Sequence, residues 1–133
     1  MGAPSLDTIN VFLYDWAADE DSKPKRIYKA NRAFKVLSAE LTSSAAVAAA
    51  DTNFNTFTLQ KATTAIATLA NGPVSNGVAI GASTGAGGAM TLSTTAANIL
   101  IADGDYLTLK SVKSGTGQAV ADMSINIEIQ YTD

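Results

Sequence analysis

Cysteine and histidine are both absent from this chain of 133 residues. Without cysteine there can be no disulfide and no thiolate metal site. Without histidine the chain also lacks the commonest general base, the commonest zinc ligand and the usual switch near neutral pH. The serine–histidine triad is excluded on the same ground. Charged residues make up only 16%, the net charge is −3 and the isoelectric point lies near 4.7. That balance argues against a nucleic-acid binder that relies on overall charge. No apolar run approaches the roughly 18 residues of a membrane-spanning helix. The first residues, Met1-Gly2-Ala3-Pro4-Ser5, lack the basic start and apolar core of a secretory signal. The expectation is a protein made in the cytoplasm, with neither a membrane nor a nucleic acid as partner. Alanine, threonine, serine and glycine fill the space that charge leaves. This is a composition of surface layers, pili, fibres and virion proteins more than of ordinary enzymes.

What is present is β-patterning. In residues 123–131, Met123, Ile125, Ile127, Ile129 and Tyr131 share one parity, and Ser124, Asn126, Glu128 and Gln130 share the other. A period of two with β-branched residues on the dry face predicts a half-buried strand. Upstream, Asp103-Gly104-Asp105 predicts a turn, and Tyr106-Leu107-Thr108-Leu109-Lys110 alternates again. Residues 105–131 therefore read as a long hairpin that closes a sandwich. Residues 54–61 predict a strand with Phe57 and Leu59 inward, and 65–70 and 78–80 predict weaker ones. The parity of residues 34–41 slips near Leu37, which predicts a bulge or a strand end there. The alanines at 45–50 read as a loop or extended piece. About eight strands with frequent turn signals and no convincing helix predict an all-β antiparallel sandwich or jelly roll.

The N-terminal part reads differently. Residues 9–16 hold the only tryptophan and are apolar on both parities, with Ile9, Val11 and Leu13 on one and Phe12, Tyr14 and Trp16 on the other. Such a strand must be covered on both faces. Two readings are open: a strand of the chain's own sandwich, or an arm that docks on a neighbour. Five acidic residues up to Asp21 give way to six basic ones, Lys23, Lys25, Arg26, Lys29, Arg32 and Lys35. The reversal reads as a solvated loop or as an electrostatic contact with an acidic partner. With Pro24 as a break, the expected division is an arm and linker over residues 1–26 and a sandwich body over 27–133. Candidate partner-binding residues are Phe12, Tyr14, Trp16, Lys25, Arg26 and Arg32.

Sites of chemistry are sparse. The glycine-rich residues 81–88 lack the lysine and the following helix of a phosphate loop. Asp103, Asp105 and Asp122 are too few and wrongly spaced for a calcium loop. Asp105, Asp122 and Glu128 have no feature that marks a hydrolytic carboxylate pair. No catalytic residue, cofactor or metal is expected, and the chain reads as a non-enzyme.

The layout resembles the head decoration, or cement, proteins of tailed bacteriophages. The likeness rests on a Thr/Ala-rich β body, on Ile101-Ala102-Asp103-Gly104-Asp105-Tyr106-Leu107-Thr108-Leu109 as a Leu-x-x-Gly-Asp-x-Leu-x-Leu-like segment, and on the closing strand at 123–131. Met90-Thr91-Leu92-Ser93 with Ala96-Ala97-Asn98 fits the same pattern, so the likeness covers about residues 27–131. The resemblance implies a structural virion protein on the outer capsid surface. Its partners would be the major capsid protein and itself, as a homotrimer or else a dimer. Other readings are a tail, fibre or surface-layer module, and a carbohydrate-binding sandwich that uses Tyr14, Trp16, Tyr28 and Tyr106.

Overall fold

The computed structural model describes residues 5–18, 24–75, 77–81 and 87–132. Among them are nine strands: β1 (Leu6–Trp16), β2 (Lys25–Lys29), β3 (Phe34–Thr42), β4 (Phe54–Lys61), β5 (Thr64–Ala70), β6 (Thr91–Leu92), β7 (Leu100–Ile101), β8 (Tyr106–Ser114) and β9 (Val120–Tyr131). One short 3-10 turn, Ala96–Ile99, precedes β7. The strands form two antiparallel sheets, ordered β1-β9-β3-β7 and β2-β8-β4-β5-β6. The expected all-β sandwich is thus the observed architecture, with nine strands in place of about eight.

The core follows the alternation. Met123, Ile125, Ile127 and Ile129 of β9 are fully buried, and they share one core with Leu107 and Leu109 of β8 and Phe57 and Leu59 of β4. Each such burial stabilises the fold by roughly 1.5–3 kcal/mol before chain ordering is counted. The polar parity of β9 faces outward, where Thr42 and Ser124 hydroxyls bond at 2.7 Å across to β3. The slip near Leu37 is a bulge: the β3–β9 register shifts between Val36 and Ser38. The alanine stretch at 45–50 forms no helix, and Val47 makes an isolated bridge to Ile80. The glycine-rich stretch falls in part, at 82–86, outside the described residues.

Two expectations need correction. The first is the closing hairpin. β8 and β9 do not pair: β8 lies between β2 and β4, and β9 lies between β1 and β3, in the opposite sheet. Alternation identifies the dry face of each strand but not its hydrogen-bonded neighbour. Here the two dry faces meet through the core instead of side by side. The crossing at 115–119 is tight. Gly115 and Gly117 take positive φ, and a Cβ on Gly117 would lie 2.1 Å from the Ala18 carbonyl oxygen.

The second is the division at residue 26. In its described part the N-terminal segment is not a separate unit. β1 runs antiparallel along β9 from the pair Leu6–Gln130 to the pair Trp16–Val120, and Ile9 and Trp16 belong to the core. The 26/27 boundary falls inside β2. Ile9, Val11 and Leu13 supply the inward parity, as the reading of residues 9–16 as a strand of the chain's own sandwich requires. The linker residues 19–23 lie outside the described residues.

Candidate interaction surface

β1 is the outermost strand of its sheet, and its geometry follows from one backbone bond. Tyr131 N–H donates to the Ser5 carbonyl at 3.0 Å. Hydrogen-bonded and non-hydrogen-bonded pairs alternate along antiparallel strands. Asp7, Ile9 and Val11 therefore bond toward β9, and the backbone groups of Leu6, Thr8, Asn10 and Phe12 turn to the outer edge. Thr8 N–H is met locally by Asp7 Oδ1 at 2.8 Å. On the outer face, polar pairs tie β1 to β9: Thr8 Oγ1 donates to Glu128 Oε2 at 2.9 Å, and Asn10 Nδ2 donates to Asn126 Oδ1.

At the far end of β1 the polar pairs give way to aromatics. The register shifts twice, between Phe12 and Tyr14 and between Tyr14 and Trp16. Tyr14 sits at φ 61°, a left-handed conformation that costs on the order of 1 kcal/mol or more for a bulky residue. The double irregularity sorts three aromatics onto two sides. Phe12 and Tyr14 stay outside, 48% and 70% exposed, with ring centroids 4.4 Å apart. Leu6, 69% exposed, lies at the other end of the same strand.

Trp16 turns inward and is 1% exposed. Its Nε1–H donates to Ser111 Oγ at 2.9 Å, and its ring meets Phe57 edge-on at 6.0 Å. It thereby ties β1 to β8 and β4 of the opposite sheet. Of the six candidate partner-binding residues, Trp16 alone has its side chain in the core, where it offers a partner no contact surface.

The three candidate cations each lie over an aromatic ring of their own chain. Lys25 Nζ is 4.6 Å from the Trp16 ring, Arg26 Cζ 4.2 Å from Tyr106, and Arg32 Cζ 3.9 Å from Tyr131. Lys29 Nζ adds a second cation 5.6 Å from Tyr106. Such stacking fixes a side chain that would otherwise sweep through solvent. It also occupies the ring of Tyr106 that a sugar would need. Arg32 joins a clasp between the first and last strands, where the Tyr131 hydroxyl donates to Asp7 Oδ2 at 3.1 Å. That bond, burial and the Asp7 charge push the Tyr131 phenol above its ordinary pKa, against the nearby Arg32 charge.

Beside Tyr106 an open cleft of about 530 Å³ lies between the β4–β5 turn and the turn at 102–105, with Arg26, Lys61 and Thr108 in its lining. The Gly-Asp segment that shapes its rim is built from backbone bonds. Gly104 takes φ 92°, Asp105 Oδ2 accepts the Ala102 N–H at 2.9 Å, and Ala30 exchanges bonds with both Gly104 and Asp105.

The structure does not gather the six candidates into one patch. Phe12 and Tyr14 mark the β1 edge, Arg26 marks the Tyr106 cleft, and Arg32 marks the Tyr131 clasp. Leu6, Lys61 and the pairing of Arg26 with Tyr106 were outside the sequence reading. Leu6 shares the parity of Phe12 and was visible in principle. The others depend on β2 and β4 both pairing with β8, which lies far along the chain from each. No family model, curated protein or solved structure matches the chain.

Proposed function

We propose that the chain is a structural virion protein that binds a phage capsid shell as a decoration or cement protein, and that the outer side of β1 is its contact surface. The observation that carries this reading is the exposed Phe12–Tyr14 pair at one end of an edge strand, with Leu6 exposed at the other end and backbone groups turned outward between them. Large aromatics held rigidly in solvent are costly unless covered in the working state, and they are the side chains that dominate protein interfaces. An edge strand adds backbone bonds as a second source of affinity. The Thr/Ala-rich body and the Ile101–Leu109 segment support the capsid in particular through the resemblance to that family. A cement protein needs rigidity and reach more than chemistry, and several copies bound across a lattice gain by effective concentration.

The test is cosedimentation of the purified chain with capsid shells assembled without it, followed by imaging. Saturable binding at regular lattice positions is expected. Shells that sediment bare at micromolar protein concentration would overturn the assignment.

A further inference from the structure

We propose that the cleft beside Tyr106 is a carboxylate site that receives an acidic side chain of the protein partner. The protein nature of that partner rests on the reading above; the site itself rests on the cleft. Arg26 and Lys61 line it, with Lys61 Nζ donating to the Ala97 and Leu100 carbonyls, and Lys29 Nζ lies 5.6 Å from the Tyr106 ring. None of the three forms an ion pair with a carboxylate among the described residues. Asp105, the one acid in the lining, has Oδ2 bonded to the Ala102 N–H. The cleft therefore carries an excess of positive charge inside a protein whose net charge is −3.

Two further features favour a carboxylate. Arg26 is held on the Tyr106 ring 4.2 Å below its Cζ. A guanidinium over a ring can still offer N–H donors, and these match a planar carboxylate with two parallel bonds. Thr108 pairs with Arg26 across β2 and β8 and lines the cleft, and its buried Oγ1 has no hydrogen-bond partner among the described residues. A buried hydroxyl left without a partner is an unmet hydrogen-bonding demand at the cleft wall. The same positive charge would also attract phosphate, so phosphate is the competing anion to test.

The experiment is an amide-resolved NMR titration of the full chain at low salt with hexaglutamate. Hexaglutamine serves as the neutral control and inorganic phosphate as the competing anion. Saturable shifts at Arg26, Thr64, Gly104, Tyr106 and Thr108 are expected with hexaglutamate and none with hexaglutamine. Arg26→Gln should weaken binding tenfold or more, and Arg26→Lys should fall between, with melting temperatures used to confirm the fold. Asp105→Asn should tighten binding several-fold, since the amide oxygen can still accept the Ala102 N–H while the repulsive charge is gone. A merely structural Asp105 predicts no gain.

Affinity unchanged in Arg26→Gln would overturn the site. So would shifts spread evenly to Lys110 and Lys113 without saturation, or phosphate binding as tight as the peptide. Loss of peptide binding in Arg26→Gln with shell binding intact would show that the partner does not use the cleft. If the wild-type chain binds hexaglutamate but no capsid shell, the virion reading fails while the carboxylate site stands.

Discussion

Tyr131 and Trp16 show how single side chains hold the N-terminal strand to the rest. The Tyr131 phenol donates to Asp7 and is raised above the ordinary tyrosine value of about 10. A raised value in the folded state means that the proton is held more tightly there. The stabilisation is fully present below the unfolded value and is lost as pH rises through the folded one. An absorbance titration near 295 nm should find this tyrosine ionising late, and Asp7→Asn should bring it down. Trp16, the only tryptophan, should emit in the blue while folded and shift to the red on unfolding. Trp16→Ala should cost about 3–5 kcal/mol in urea unfolding, because it opens a cavity and removes the donor to Ser111. A loss under about 1 kcal/mol would mean that the indole is not packed as described.

At the scale of elements, β9 was the most legible and its neighbours the least. Alternation from Met123 to Tyr131 places four fully buried side chains, and the slip at Leu37 marks a real bulge. Periodicity in a single strand carries no term for the strand beside it, so it pairs β8 with β9 when the partners of β9 are β1 and β3. The same blindness hid the cleft, because Arg26 meets Tyr106 only through the pairing of β2 with β8. The double apolar parity of β1 was visible. Its resolution was not, because it depends on the bulge at Tyr14 that turns Trp16 in and leaves Phe12 and Tyr14 out. Deleting residues 1–16 should therefore cripple the fold, since it strips Ile9 and Trp16 from the core and bares the β9 edge. A truncated chain that melts as cooperatively and as high as the full one would contradict the role given to β1. Gly88→Ala should also destabilise: φ is +82° and a Cβ would lie 1.9 Å from the Leu41 carbonyl oxygen.

Across the whole molecule, the two sheet edges beside the 17–24 connection are finished differently. β2 carries Lys25, Arg26 and Lys29, the charged finish that discourages strand addition. β1 presents Leu6, Phe12 and Tyr14, the side chains of the proposed contact edge. The low overall charge favours self-association as well, and sedimentation at tens of micromolar is expected to show a trimer, or else a dimer. A monomer under those conditions would count against a preformed oligomer. The account turns most on the β1 edge, and the measurement that reads it is capsid-shell affinity of Phe12→Ser/Tyr14→Ser beside the wild type. Both side chains are largely exposed, so the variant should keep its melting temperature within a few degrees. It should lose tenfold or more in shell affinity. Wild-type affinity from a folded variant would contradict the claim that this edge is the contact surface.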